Sequence, residues 1–298
     1  MIKMKSIDIY LDDFKKKDEP ISMCLGYFDG VHLGHQHLLD IASKRAKYKL
    51  GVLIFDKPIA TFIDNNKSKE VLTSLTDKFR LISRFDLSYF FILHLTKEFL
   101  NKSPLEFILF LKDLGVKEIF AGSDYRFGKN RMGDVTMLKQ YFDVHVIDLV
   151  FENNEKISTS KIISLLKDGN VKYANELLNH NYTVNGIVIK GYQNGTKFGI
   201  KTANIRLDDN YVLPRFGVYK TIIYIDGRSF LCLSNVGVHP TIDKITKPII
   251  EVHIPHFDEV LYNKVVYIEF LDFIRDEKVF SSTEELIKQI KSDLTLIA

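Results

Sequence analysis

Cysteine and proline are scarce in this chain, two and seven in 298 residues. Cys24 and Cys232 lie far apart, no CxxC pair occurs, and so neither a disulfide framework nor a cysteine metal site is expected. Both sit in apolar runs, Met23-Cys24-Leu25 and Leu231-Cys232-Leu233, which suits buried reduced thiols. No apolar run approaches the length that crosses a bilayer, and Met1-Ile2-Lys3-Met4-Lys5 leads to Asp8 and Asp12-Asp13, not to an apolar leader core. Charge of one sign is not concentrated either. Forty-one Lys+Arg against 38 Asp+Glu leaves +3, with the lysines scattered among acids, which argues against a nucleic-acid partner. The expectation is a cytoplasmic enzyme with no membrane and no nucleic-acid partner, self-association being left open. With 46% hydrophobic and 27% charged residues the composition is globular, and the length suggests two domains.

The first half alternates short apolar runs with helical stripes. Strands are expected at 21–27, 51–55, 87–93, 116–121 and 144–150, and helices at 34–47, 75–85 and 134–141. Ser103-Pro104-Leu105-Glu106 opens another helix, with serine at the N-cap and proline in the first turn. Alternating strands and helices indicate a parallel sheet in a doubly wound α/β domain. Residues 156–178 read as two short helices broken at Asp168-Gly169-Asn170. The pattern then becomes β-rich, at 182–189, 217–225, 229–236, 249–254 and 264–273, as in a small antiparallel barrel or sandwich. A helix at 282–294 closes the chain, Ser282 and Glu285 having capping-box spacing. We expect domains at 1–180 and 181–298.

Gly26-Tyr27-Phe28-Asp29-Gly30-Val31-His32-Leu33-Gly34-His35 follows a strand and precedes a helix. Its glycines let the backbone approach a ligand, and the helix start offers free N–H groups and a positive dipole end to phosphate. His32 and His35, three apart, can share a face and donate to phosphate oxygens. Asp29 would compete with an anion unless it orients a histidine or sits near a metal. This turn resembles the signature of the nucleotidylyltransferase superfamily, and with Phe28-Asp29-Gly30 the adenylyltransferase module of bacterial bifunctional riboflavin kinase/FAD synthetases. Gly122-Ser123-Asp124-Tyr125-Arg126-Phe127-Gly128, then Arg131 and Gly133-Asp134, resembles that family's flavin-side segment. The resemblance implies a Rossmann-like nucleotidylyltransferase fold. It also implies ATP or phosphate contacts from Gly26, Phe28, Asp29, Gly30 and Gly34, catalytic roles for His32 and His35, and flavin contacts from Asp124, Arg126 and Phe127. Ile157-Ser158-Thr159-Ser160-Lys161 aligns with the family's Ile-Ser-Ser-Thr element with the hydroxyls permuted, a resemblance that assigns Ser158, Thr159, Ser160 and Lys161 to ATP. However, Ile163 stands where the family usually has an arginine, and Phe55-Asp56-Lys57-Pro58 departs from a Phe-Asp-Pro-His-Pro-like strand end.

In the second half, Gly191, Gly195 and Gly199 precede Lys201-Thr202-Ala203-Asn204. Such a loop can wrap phosphates with its amides, and a threonine and an asparagine two apart on an extended chain make a neutral oxygen pair suited to Mg2+. The segment resembles the riboflavin kinase Gly-x-Pro-Thr-Ala-Asn element, and Gly217-Val218-Tyr219, Ser234-Asn235-Val236-Gly237, Pro240-Thr241 and Glu251-Val252-His253 follow in the family's order. The resemblance implies a riboflavin-kinase-like antiparallel barrel. By it, Gly195 and Gly199 hold phosphate, Thr202 and Asn204 hold the metal, Tyr219 and Asn235 meet the flavin, and Glu251 is the general base. Lys201 replaces the family's proline, and Asn263 its usual glycine after Leu261-Tyr262. The activities implied are riboflavin plus ATP to FMN plus ADP, and FMN plus ATP to FAD plus pyrophosphate, both with Mg2+. A relative keeping one activity, and a non-catalytic flavin- or nucleotide-binding regulator, remain the alternatives.

Overall fold

Every residue of strand β2 (Ile21–Leu25) is buried in the computed structural model, as expected of a strand that is apolar but for Ser22 and covered on both faces. The structure describes residues 4–14, 16–63, 70–189, 202–238, 248–257 and 259–297. Two compact units result, Met1–Thr159 and Ser160–Ala298.

The first unit is built on a six-stranded parallel sheet. Its strands are β1 (Lys5–Ile9), β2, β3 (Lys49–Phe55), β4 (Tyr89–Leu93), β5 (Val116–Gly122) and β6 (Asp143–Ile147), in the order β1-β4-β3-β2-β5-β6. Helices α1 (Leu33–Arg45), α2 (Leu75–Ile82) and α3 (Pro104–Asp113) make the crossovers. Separate apolar clusters, one with Met23, Phe91 and Phe107 and one with Cys24, Leu39 and Phe90, contain alternate residues of the same strands and so cover opposite faces. Ser103 caps α3 as expected, and its box with Glu106 is complete. The strand order changes direction at β2, so the turn after β2 lies at the carboxyl edge beside a topological switch point, where such sheets bind ligands.

The opposite edge is held by Glu118, which has no exposed surface. Its carboxylate accepts from Ser22 Oγ (2.5 Å) and the Lys47 amide (2.8 Å) and bonds His145 Nε2 (2.9 Å), tying β2, β5, β6 and the entry to β3 together. Glu118, Asp143 and His145 bring ligand atoms within 4.8 Å of one another. Lys47 Nζ already lies 2.5 Å from Asp143, so the group is satisfied as a structural clamp.

The second unit opens with α4 (Thr159–Lys167, its first residue belonging to the first unit) and α5 (Val171–Leu178). A closed antiparallel barrel follows: β7 (Tyr182–Ile189), β8 (Ala203–Leu207), β9 (Gly217–Ile225), β10 (Arg228–Val238), β11 (Pro248–His253) and β12 (Val265–Arg275), in the order β7-β8-β11-β10-β9-β12. The sequence pattern groups the two helices with the first half. In the structure α5 is fixed to the barrel: Asn175 donates to the Phe270 carbonyl (2.8 Å) and accepts from the Tyr182 amide (2.7 Å). Tyr182, Tyr219, Val266 and Phe270 fill the barrel. Helix α6 (Thr283–Thr295) is docked by a buried pair, Arg275 donating to Asp293 at 2.7–2.9 Å. Its capping box is half formed. Ser282 accepts from the Glu285 amide, but the Glu285 carboxylate is taken by Ser281. Both cysteines are free and buried, as expected.

Candidate active sites

Beyond β2 the chain makes a strained turn. Phe28 (φ 52°) and Val31 (φ 42°) occupy the left-handed region together with Gly30 (φ 75°). A β-branched residue there costs energy, and burial of Phe28 and Val31 in the core holds both in place. Asp29, 2% exposed, explains the path. Its carboxylate accepts from the amides of Leu72 (3.1 Å) and Thr73 (3.0 Å) and from Thr73 Oγ1 (3.0 Å), while the Gly30 amide donates to Thr73 Oγ1 (2.9 Å). These bonds spend the charge on the chain just before α2. Asp29 thus shapes the turn by tying it to the chain before α2.

His32 is the N-cap of α1, its Nδ1 accepting from the His35 amide (3.4 Å). Accepting there leaves the proton of a neutral ring on Nε2, as a donor for a ligand oxygen. The His32 and His35 rings stack at 3.7 Å, 16° from parallel, and a Cβ on Gly34 would press on the His32 ring at 3.2 Å. Burial, then the Lys156 charge, lowers the His32 pKa to about 4. Burial, then His32, Lys78 and Lys156, holds His35 well below the ordinary histidine range. The pair is therefore neutral at pH 7. His35 Nδ1 is buried with no hydrogen-bond partner among the described residues, an orphan that a ligand would satisfy.

Thr159 reaches this turn, its hydroxyl donating to the Asp29 carbonyl (3.2 Å). Ser158 lies just before α4, Ser160 and Lys161 lie on its first turn, and Ile163 is half-buried. Lys156, absent from the sequence reading, pairs with Asp124, and its charge acts on both histidines. Its place beside the Ile157-Ser158 match was the available signal. Asp124 thus pairs with Lys156 and not with Arg126, whose exposed guanidinium donates to the Tyr125 carbonyl. Phe127 is buried, 5.1 Å from the Phe107 ring, and opens a short hairpin to Gly133-Asp134. Lys57 is more than half exposed, 4.0 Å from Asp56, and the Asp56 carboxylate is held by the Leu95 amide (2.9 Å) and His94 (3.3 Å).

In the barrel, residues assigned from distant parts of the sequence fall into one row. Asn204 on β8 is directly opposite Glu251 on β11, which is directly opposite Asn235 on β10. Opposed residues on neighbouring strands share a face, so a neutral oxygen donor, a carboxylate and a carboxamide stand side by side, all half-buried. Asn235 Nδ2 also donates to Glu277 (3.1 Å). Thr202 is exposed, two residues before Asn204. Tyr219 is buried, donates to the Arg215 carbonyl (2.5 Å) and packs edge-on to Phe270 and Phe273. Gly195, Gly199 and Lys201 lie outside the described residues. The Asn263 departure has a physical account: the position has φ 64°, a conformation natural to glycine that asparagine also tolerates.

Comparison with known proteins agrees along the chain. Residues 14–161 match the FAD synthetase family model and residues 178–298 the riboflavin kinase model. A bifunctional riboflavin kinase/FMN adenylyltransferase of Listeria monocytogenes is 34% identical over 91% of this chain and 89% of its own length. The Bacillus subtilis protein of that name is 32% identical over 97% and 96%, and the Escherichia coli K12 protein 29% over 91% and 90%. A solved structure from Streptococcus pneumoniae, described as a macrolide-efflux protein, superposes with a TM-score of 0.90 at 29% identity, covering 98% of both chains. Among the described residues no helix is long and apolar enough to cross a membrane.

Proposed function

The chain belongs to the bifunctional riboflavin kinase/FMN adenylyltransferase family, and from that premise we propose how its residues divide the two reactions. The protein converts riboflavin and ATP to FMN and ADP, and FMN and ATP to FAD and pyrophosphate. We assign adenylyl transfer to residues 1–180 and phosphoryl transfer to residues 181–298.

In phosphoryl transfer Glu251 accepts the proton of the terminal ribityl hydroxyl as its oxygen attacks the γ-phosphorus of ATP and ADP leaves. Asn235, beside Glu251 in the row, orients the flavin substrate. Asn204 and Thr202 are hard, neutral oxygen donors next to a carboxylate, a set that fits Mg2+. When bound, the ion supplies charge neutralisation to the phosphates. In adenylyl transfer a phosphate oxygen of FMN attacks the α-phosphorus of ATP and pyrophosphate departs. The N-terminus of α1, the Nε2–H of His32 and the Lys156 ammonium face the charge that develops there. Neutral histidines suit this role, because they donate without holding the product anion as an ion pair. Ser158, Thr159, Ser160 and Lys161 complete the ATP side, while Asp124, Arg126 and Phe127 line the flavin side.

The observation that carries the reading is the in-register row Asn204–Glu251–Asn235, because three roles assigned from separate motifs meet on one barrel face. Product analysis after incubation with riboflavin, ATP and Mg2+ tests it. FMN should appear first and FAD after it. FMN accumulating with no FAD would reduce the protein to a kinase.

A further inference from the structure

Lysine is rarely buried, and a lysine on a surface helix reads from sequence as a solvated charge. Lys78, on α2, is 5% exposed. Its position follows from how α2 is tied to the turn. The Asp29 carboxylate holds Leu72 and Thr73, and the next residue, Ser74, caps the helix in a complete box with Asp77. One residue later Lys78 is delivered with its Nζ 4.8 Å from the centre of the Tyr27 ring. A cation over an aromatic face in a desolvated setting is held firmly. The Lys78 charge is also felt at His35, within the stacked pair.

We propose that Lys78 is a positioning residue for adenylyl transfer: its buried ammonium, seated on the Tyr27 ring beside the His32–His35 pair, supplies positive field to the nucleotide polyphosphate. This rests on the reading that the 26–35 turn binds ATP. In a low-dielectric site a fixed charge needs no reorganisation as negative charge develops on the leaving pyrophosphate, so it acts without touching the reacting atoms. Lys156 neutralises from the loop side, sharing its charge with Asp124, whereas Lys78 acts from beneath the turn.

The test compares Lys78→Met with Lys78→Arg, using inorganic pyrophosphate as the binding probe and FAD formation from supplied FMN as the activity. Lys78→Met should weaken pyrophosphate binding about tenfold and lower kcat for FAD formation by about 10–100-fold, with a smaller change in KM for FMN. Lys78→Arg should restore both to within about threefold, since the charge is retained. FMN formation should be unchanged in both, and a wild-type denaturant unfolding transition in each variant shows that the first unit, which holds Lys78, is folded. Wild-type affinity and kcat in Lys78→Met would overturn the proposal. So would Lys78→Arg being as defective as Lys78→Met, because the residue would then act by packing alone. A wild-type protein that forms no FAD yet binds pyrophosphate in a Lys78-dependent way would overturn the assigned reaction and leave the role of Lys78 standing. Absence of wild-type pyrophosphate binding would overturn both.

Discussion

In the first unit the candidate residues arrive from five separated segments: the turn at 26–35, the chain at 72–78, the loop at 122–127, Lys156, and the start of α4. Buried clamps join them, Asp29 to residues 72 and 73 and Thr159 to the Asp29 carbonyl. In the second unit Asn204, Glu251 and Asn235 are brought together by β-register alone. Clamps buried in a core couple catalysis to stability. A row on a barrel face lets a side chain change while the fold stays intact. Substitutions in the two units should therefore fail in different ways.

The largest expected effect is His32→Ala. It removes the α1 cap and the Nε2 donor together, so FAD formation from FMN should be abolished while FMN formation is nearly intact; assaying the two products separately checks this. Equal loss of both would mean that the turn has been wrongly assigned. Next, Glu251→Gln keeps the shape of the row but not its base. FMN formation should fall by about 10²–10⁴-fold, with FAD formation from supplied FMN and the melting temperature unchanged. Asp29→Ala sharpens the contrast, because it strands buried amides at Leu72 and Thr73. Each should cost about 1–3 kcal/mol, read as a lower denaturant midpoint together with loss of FAD formation.

Acid should act on the first unit in the same coupled way. His32 is neutral and buried when folded, with its pKa lowered to about 4 from 6.5, so the unfolded chain binds more protons between those values. Its contribution to stability is complete above about pH 6.5 and is lost as pH falls towards 4. Denaturant unfolding across that window should show the decline, and His32→Gln should make it shallower, the remainder coming from His35, whose pKa is also lowered by burial. The smallest effect belongs to Asn263→Gly. The left-handed backbone accepts either residue, so stability should change by only a few tenths of a kcal/mol and neither activity should move.

The alternating α/β pattern, five of the six barrel strands and the phosphate turn were legible in the sequence because each has a local signature: period, turn chemistry, or glycine and histidine spacing. The remaining barrel strand, β8 (Ala203–Leu207), was missed. Asp29 was legible as important but not in its role, since its partners lie more than forty residues away. Lys78 gave no signal, because burial of a helical lysine depends on what the helix packs against. The helices α4 and α5 read as part of the first half by their period, yet Asn175 binds α5 to the barrel, a contact no local pattern encodes. The strand β1 was missed for a related reason. Its Lys5–Ile9 run is mostly exposed and polar, and it pairs at the edge of the sheet.

The central claim is that one chain carries two separate active sites joined in sequence by FMN. Mixing the His32→Ala and Glu251→Gln variants with riboflavin, ATP and Mg2+ tests it most directly. Each alone should stall, the first at FMN and the second at riboflavin, and the mixture should make FAD. A mixture that makes no FAD, with each variant still competent in its remaining half-reaction, would contradict the account.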